Sequence, residues 1–478
     1  MKKISSLLLG LFCLSLSAQT VEDQQPLSLS LEEAVLLGLE NNYSSVKSEK
    51  EVEKALAQKW EIISQGLPQI NGNVDYQNFL KQPVTLLPAA AFDNTQSTID
   101  VVETYFSNVQ RNTEPVNAPE GFIPVRFGTK QNVTATATWS QLIFDGSYIV
   151  GVQSAKTLLQ ISKNAKTKTD LEVRKAVINA YGNVLMAKQS VDILNSNLQN
   201  VTKNLNDTQK IFENGLAEEE DVEQLKITRL TLENNLGRSE RMMEIAYQML
   251  NMAMGIPVEK EVILTDELSG LALKFTQPEL LNESIPVEEN IDVRIAQNSA
   301  EAARIFVRLE KAKALPTITG FLNYGASGYS DSFTFFNDTQ EYFGQSILGV
   351  SLNIPIFSSG MRASRTKQKQ LEYEQALLDL EQEKNQVKLE IASAKADYKF
   401  SLETLETRQE SLALAERIEN KNQIKFFEGL SSSFELSEAQ RQLYTAQQSL
   451  LEAMMDVISA KVELETVLST KTYSEEEE

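Results

Sequence analysis

Carboxylates are the residues of this 478-residue chain that could do chemistry. The sequence has 66 Asp and Glu residues, no His, and a single Cys, Cys13, inside an N-terminal apolar stretch. Without His the usual general base is missing, and one cysteine cannot form a disulfide within the chain. Imidazole and thiolate are also the commonest ligands of transition metals. The sequence therefore predicts no catalytic site, no metal site and no cofactor, and the chain is not expected to be an enzyme.

Glu435 and Glu438 form a pair of carboxylates near the end of the chain. Residues three apart share one face of an α-helix, so the pair would place two negative charges side by side. The spacing alone leaves two interpretations open, a functional acidic face or a solvated helix face in an acidic protein. The net charge of −21 disfavours nucleic acid as a partner, because phosphate would be repelled.

The elements that must position these carboxylates occur twice in the chain. The Leu-Pro-x-Ile-x-Gly segment at 67–72 reappears at 315–320, and Phe-Glu-Asn-Gly-Leu at 212–216 reappears as Phe-Phe-Glu-Gly-Leu at 426–430. The second copy keeps the order of the first, with a shorter segment between its strands. Internal repeats set the architecture, so the copies are expected to be two halves of one object.

Each copy contains two segments in which apolar and polar residues alternate. In the first segment, Ile70 and Val74 alternate with Asn71 and Asn73. Alternation over about ten residues is typical of barrel strands with an apolar outer face. A lumen-bearing barrel needs about eight strands, and lipid does not tolerate unpaired edges, so several chains must contribute. The predicted strands are 69–80, 132–144, 317–329 and 344–357, and three chains would supply twelve.

The helices that flank the strands are very long. From Ser147 to Asn214 there is no proline, which allows a helix of about 100 Å. Apolar residues recur there every seventh position, as in a coiled coil. In the second copy Glu419 interrupts the corresponding column, which indicates weaker packing. The two columns of the first copy are Val177, Val184, Val191, Leu198, Leu205 and Phe212, and Ala180, Ala187, Leu194 and Val201.

The chain termini carry separate signals. Lys2 and Lys3 precede an apolar stretch that ends near Ala18, which predicts a cleaved signal peptide over 1–18. No later stretch of 18 apolar residues predicts a transmembrane helix. The last residues, 471–478, are expected to be an acidic disordered tail. The first repeat is predicted over 19–254 with helices 30–65, 147–214 and 217–254, a connecting segment over 255–283, and the second repeat over 284–470 with helices 284–313, 360–427 and 431–468.

These motifs together resemble the TolC family of outer-membrane efflux proteins, over about residues 28–470. The resemblance includes the strand exits Phe-Asp145-Gly146 and Phe-Ser358-Ser359-Gly360. It implies a mainly α fold with a membrane β-barrel portion: a homotrimer with a twelve-strand barrel in outer-membrane lipid of a Gram-negative bacterium, continued by an α-helical coiled-coil periplasmic tunnel. The family is the exit duct of tripartite efflux and type I secretion. Its partners are a periplasmic adaptor, or membrane fusion protein, and an inner-membrane RND or ABC transporter.

The resemblance also implies roles for residues near the two Gly-Leu turns. Glu435 and Glu438, with Asp221 from the first copy, would constrict the pore and select cations, and Phe426 takes the position of the family's aromatic residue. Where some members carry an arginine that holds the tip shut, this chain has Ser431. The turns expected to form the entrance and dock the adaptor are Gly215-Leu216 and Gly429-Leu430, and the helix–strand junctions are Pro68, Pro316 and Pro355.

The competing interpretation is a periplasmic coiled-coil adaptor or tether without a pore. Long heptad stretches are equally typical of such proteins. That interpretation accounts for neither the alternating strands nor the duplication.

Overall fold

The computed structural model describes residues 27–92, 95–106, 120–282 and 286–469. The predicted signal peptide at 1–18 and the predicted tail at 471–478 lie outside the described residues. The chain divides into two compact units. The first unit comprises Met1–Leu56, Lys156–Arg304 and Leu371–Glu478, and the second comprises Ala57–Ala155 and Ile305–Gln370.

The helices and strands follow the duplicated order that the sequence predicts, so the expected fold class is confirmed. The helices are α1 Leu31–Asn41, α2 Tyr43–Ser64, α3 Thr95–Tyr105, α4 Gly146–Glu213, α5 Glu219–Met254, α6 Leu268–Phe275, α7 Ile291–Ala312, α8 Met361–Phe427 and α9 Ser433–Leu468. The strands are β1 Leu27–Leu29, β2 Gln69–Asn78, β3 Val84–Pro88, β4 Phe122–Arg126, β5 Gln131–Asp145, β6 Val262–Leu264, β7 Thr317–Ser330 and β8 Tyr342–Asn353.

The second unit contains an antiparallel sheet in the order β2-β5-β7-β8. Its register aligns the apolar positions of all four strands: Ile70 pairs with Trp139, Trp139 with Leu322, and Leu322 with Leu348. The next row, one residue along β2, begins with the polar pair Asn71 and Thr138. Because side chains alternate between the faces of a strand, this register gathers the apolar residues on one face of the sheet.

Two parts of the second unit differ from the sequence expectation. The fourth strand was expected over 344–357 but ends at Asn353, because its partner β7 begins at Thr317, opposite Asn353, and offers no backbone beyond it. The sequence predicts neither a helix nor a strand in the segment between the first two strands. It contains α3 and the antiparallel pair β3–β4.

The first unit shows why the predicted helix 30–65 is two helices. The backbone of Asn42 is extended, with φ −59° and ψ 132°, and its side-chain amide donates to the carbonyl oxygen of Ala253 at 2.8 Å. Gly255, which ends α5 with φ 75°, lies so close that a Cβ there would be 2.1 Å from the carbonyl oxygen of Asn41. The end of the α4–α5 hairpin therefore fixes the position of the break.

The core of the first unit lies where the connecting segment packs against the long helices. A parallel pair of β1 and β6, which sequence analysis did not predict, brings Leu29 beside Leu264. The buried Tyr181 of α4 donates to the carbonyl oxygen of Leu29 at 3.1 Å. Across the core, the buried Tyr398 of α8 donates to the carbonyl oxygen of Phe275 at 2.7 Å. Hydrogen bonds thus satisfy both phenols inside an apolar cluster.

No helix within the described residues has both the length and the apolar character that a membrane crossing requires.

Candidate functional site at the hairpin tips

Both long helices end in the same glycine turn. Gly215 has φ 76° and its N–H donates to the carbonyl of Phe212 at 2.8 Å, while the N–H of Leu216 donates to Ile211 at 3.0 Å. This pair of bonds is a Schellman motif, in which glycine takes the left-handed conformation. Gly429, with φ 72°, and the residue after it repeat the pattern. The two copies of the Gly-Leu sequence therefore build two equivalent tips.

Asp221 links the two tips. Its carboxylate accepts from the backbone N–H of Glu218 at 3.4 Å, within the first turn of α5. The same carboxylate accepts from the backbone N–H of Ser433, the first residue of α9, at 3.2 Å. A carboxylate near two helix N-termini is stabilised by free N–H groups and by the helix dipoles. Asp221 therefore ties the starts of the two returning helices together.

Glu435 belongs to the cap of α9. Ser432 and Glu435 form a capping box: the Glu435 N–H donates to the Ser432 hydroxyl at 3.2 Å, and the Ser432 N–H donates to the Glu435 carboxylate at 3.3 Å. The hydroxyl of Ser431, in the position of the family's arginine, donates to the same carboxylate. The bonds from Ser431 and Ser432 lower the pKa of the Glu435 carboxyl. The exposed side chain is thus anionic and turned back toward its own helix end.

Glu438 is paired with Arg441 one turn further along α9. The guanidinium Nε lies 3.0 Å from a carboxylate oxygen, and a second nitrogen contacts the other oxygen. This pairing lowers the pKa of the Glu438 carboxyl. Because the partner is a cation of the same face, Glu438 and Arg441 together carry no net charge. The two glutamates expected to act alike therefore differ in their surroundings.

Phe426 packs inside the tip. Phe426 and Phe212, its counterpart in the first copy, both pack against a cluster of buried residues, Leu205, Val222 and Leu225. The Phe426 ring is half-buried and lies 5.5 Å, centroid to centroid, from that of Phe427. The repeated phenylalanines of the two copies thus meet in one apolar cluster that holds the tips together.

A cavity of about 430 Å³ lies beside a separate pair of buried residues, Val201 of α4 and Leu232 of α5. Its lining includes Glu419 of α8, Asn197 of α4, Gln224 of α5, and Glu438 and Arg441 of α9. Burial raises the pKa of the Glu419 carboxyl, and a hydrogen bond with Gln440 opposes the shift. Glu419 is not among the site residues predicted from the sequence, and the signal that could have found it is its interruption of the heptad column.

The remaining candidates lie at element ends. Pro68 lies between α2 and β2, Pro316 between α7 and β7, and Pro355 after the end of β8. Leu216 and Leu430 at the turns are exposed at 80% and 72%. Within the described ranges, no group of three acidic, His or Cys side chains is placed to hold a metal ion.

Comparisons with known proteins agree with this architecture. The family model "Outer membrane efflux protein" matches residues 286–470. The outer membrane protein TolC of Vibrio cholerae is 24% identical over 344 residues, which cover 71% of this chain and 77% of that protein. The alkaline protease secretion protein AprF of Pseudomonas aeruginosa is 22% identical, with 68% and 67% covered.

A solved structure of CusC has a TM-score of 0.68 at 16% identity, covering 92% of this chain and 91% of that one, so the fold is shared. The family match and these relatives support an outer membrane efflux protein of the TolC family. Proteins of this family are channels of the outer membrane, and this chain is an exit duct of an efflux or secretion system. The duplicated tips described above are therefore features of a conduit.

Proposed function

We propose that three copies of this chain assemble in the outer membrane of a Gram-negative bacterium, after cleavage of the signal peptide. Their sheets would combine into one twelve-strand barrel, and the helices would form a periplasmic tunnel. Conduction is passive, without catalysis, and an inner-membrane RND or ABC transporter supplies the energy. The tips form the gate.

The proposal of a trimer is supported mainly by the two open edges of the four-stranded sheet. Among the described residues, β2 and β8 each have a strand partner on one side only. Both edge strands expose apolar side chains on the same face, with Ile70 and Val74 of β2 at 76% and 72% and Leu348 of β8 at 77%. Unpaired backbone groups are costly in lipid, so an apolar sheet with two open edges needs neighbours. Pairing β2 of one copy with β8 of the next would give each open edge a strand partner.

A matched pair of charge insertions on β2 tests this assembly. Val74 lies on the apolar face and Asn73, beside it, on the polar face. On the lipid side of a barrel a lysine near the midplane costs about 2–4 kcal/mol, whereas a lumen position tolerates it. We expect Val74→Lys to deplete the heat-modifiable trimer in outer-membrane fractions and Asn73→Lys to leave it intact. Equal amounts of trimer in the two variants would contradict the proposal, as would a purified wild type that is monomeric without detergent.

The gate is proposed to consist of Asp221, Glu435 and Glu438, which three copies would repeat around one axis. Glu435 is anionic and its carboxylate accepts from Ser431 and Ser432, while Arg441 neutralises Glu438. In bilayer recordings, Glu435→Gln is expected to reduce cation preference, and glutamine can still complete the capping box. Glu452→Gln, the same change at an exposed position further along α9, serves as the control. If the cation preference of the Glu435→Gln channel were unchanged, Glu435 would not be part of the gate.

The partner is proposed to be a periplasmic adaptor docking at the Gly-Leu turns. Exposed leucines at both tips support this, because isolated apolar side chains on a rigid turn are suitable anchors for a partner. The relative AprF is named as an alkaline protease secretion protein, and this cargo is said of AprF alone. Crosslinking from Leu216 and Leu430 positions in cells, followed by identification of the captured protein, tests the docking site. Capture at neither position would contradict it.

A further inference from the structure

The cavity of about 430 Å³ near the tips has the size and composition of a small-molecule site. Its walls come from four helices: α4 and α5 of the first copy, and α8 and α9 of the second. Pockets that bind small molecules usually have about 300–1,000 Å³, with mainly apolar walls and a few polar groups. The volume of this cavity is within that range, so its walls decide which chemistry of ligand it fits.

One wall of the cavity is apolar and partly aromatic. Val201 of α4 and Leu232 of α5 are buried, and the half-buried Tyr444 of α9 packs against their cluster. Ile227 and Phe434 also line the cavity, and their side chains are 59% and 65% exposed. Aromatic rings attract cations to their faces, in addition to offering apolar surface. This wall therefore suits a ligand with an apolar body and a positive charge.

The opposite wall contains one carboxylate in excess. Among the described residues that line the cavity, the charged side chains are Glu419, Glu438 and Arg441. Arg441 pairs with Glu438, with Nε 3.0 Å from a carboxylate oxygen, so the net charge of the lining is that of Glu419. The Glu419 side chain is half-buried, and burial raises the pKa of its carboxyl. A cation bound beside this carboxylate would offset the lost hydration.

Hydrogen bonds hold α9 to the first hairpin at the level of the cavity. The Asn197 side-chain amide of α4 donates to Oε1 of Gln447 at 3.0 Å. The Thr228 hydroxyl of α5 donates to the Ser437 hydroxyl at 3.3 Å. In contrast, Glu419 is the residue through which α8 lines the cavity. A ligand in contact with both Glu419 and the apolar wall would therefore link α8 to α4 and α5.

We propose that this cavity binds an organic ammonium ion whose charge pairs with Glu419 and whose apolar body packs against Val201, Leu232 and Tyr444. The bound ion holds α8 against the first hairpin, so a movement that separates them requires the ion to leave. Binding itself depends on neither the trimer nor the gate. Only the effect of the ion on channel opening rests on the proposed function.

Equilibrium dialysis of the detergent-solubilised full chain tests the site. The two probes are 1-naphthylmethylammonium and 1-naphthylmethanol, which share an aromatic body and differ in charge, and the same detergent is present on both sides of the membrane. We expect saturable binding of the ammonium probe, near one per chain and at least about tenfold tighter than that of the alcohol, because charge-assisted hydrogen bonds are the stronger ones. Equal binding of the two probes, or no saturable binding, would overturn the proposal.

Glu419→Gln tests the charge at the site, since it keeps the shape of the side chain and its ability to bond to Gln440. The variant is expected to weaken binding of the ammonium probe at least about tenfold, or about 1.4 kcal/mol, and to leave binding of the alcohol unchanged. Glu406→Gln is the matched control, the same change at an exposed position of α8 about 20 Å away along the helix. If Glu419→Gln kept the wild-type preference for the ammonium probe, the site would be refuted.

A second variant tests the cavity without changing a charge. Ile227→Trp places a larger side chain in the lining and is expected to weaken binding of both probes. Leu230→Trp, at an exposed position of α5 outside the lining, is its control and should bind both probes as the wild type does. Melting temperatures of the two variants verify that both are folded. Undiminished binding in folded Ile227→Trp would place the ion elsewhere and overturn the proposal.

Bilayer recordings separate the binding site from the proposed function. The ammonium probe is expected to reduce channel opening in the wild type and to have no such effect in Glu419→Gln. Binding in dialysis without any change in opening would refute the claim that the ion holds α8 in place. A chain that forms no channel would refute the proposed function, whereas the dialysis experiment would still decide whether the cavity binds the ion.

Discussion

The two long helices, α4 and α8, are nearly equal in length but differ in how they are held. α4 has 68 residues and α8 has 67. Along α4 the predicted heptad residues Val177, Val184, Leu194 and Val201 are buried. Along α8, Tyr398 and Leu405 of the corresponding column are buried, whereas Leu389 and Phe400 are exposed at 64% and 70%.

The difference shows that duplication of an element does not duplicate its environment. α4 is packed as a coiled-coil helix within its own chain, and α8 is fixed through a few residues around Tyr398. At the level of the tips, Leu205 of α4 is replaced in the second copy by Glu419, which adjoins a cavity. The second copy is accordingly where movement requires the least loss of packing.

The largest expected difference in stability between the two helices is tested by a pair of leucine truncations. Leu194 of α4 is fully buried, so Leu194→Ala is expected to cost about 2–5 kcal/mol through lost burial and a residual cavity. Leu389→Ala in α8 should change stability by no more than about 0.5 kcal/mol. The melting temperatures of the two purified variants measure this. If Leu389→Ala destabilised as much as Leu194→Ala, Leu389 would be covered in the assembled protein and the contrast between the helices would fail.

A smaller effect is expected at the two returning helices. The Ser432 hydroxyl caps α9, so Ser432→Ala should cost about 1 kcal/mol, seen as roughly fivefold faster amide exchange in the first turn of α9. In α5 the corresponding Glu218 contributes its backbone N–H to Asp221. Glu218→Ala keeps that bond and should leave exchange in α5 nearly unchanged. Equal acceleration in both helices would mean that the two caps are equivalent.

The smallest effect is a pH dependence at Glu419. Because burial raises the pKa of its carboxyl above the ordinary 4.5, the folded tip binds this proton more tightly than the unfolded chain. Stability of the tip therefore falls as pH rises from 4.5 through the raised pKa. Since the group is half exposed, solvent screening makes this the smallest of the expected effects.

Amide exchange at the tip, measured on both sides of this window, checks the sign. Glu419→Leu, which restores the residue type of Leu205, should remove the dependence and slow exchange at neutral pH. Glu435→Gln, at an exposed position, should leave the dependence on Glu419 in place. A variant Glu419→Leu with the same pH dependence as the wild type would assign the effect to another group.

The sequence predicted the repeated elements well because their signals are local. The Gly-Leu turns needed only a left-handed glycine after a helix, and both are Schellman motifs. The alternation of apolar and polar residues over Ile70–Tyr76 located a strand, because this pattern can be recognised without knowing the partner strand. The break at Asn42 and the β1–β6 pair were missed, because each depends on a distant segment, Ala253 in one case and Val262–Leu264 in the other.

The sequence by itself determined the duplicated order of helices and strands, the alternation of the four strands, and the chemistry available, which is that of carboxylates without His. Periodicity and turn residues act over a few positions, so they can be read along the chain. Only the tertiary structure decided that Glu435 caps a helix while Arg441 neutralises Glu438, and that Arg174 and Lys461 share one buried carboxylate. Charges interact through space, and their partners here are set by which helix ends and faces the fold brings together.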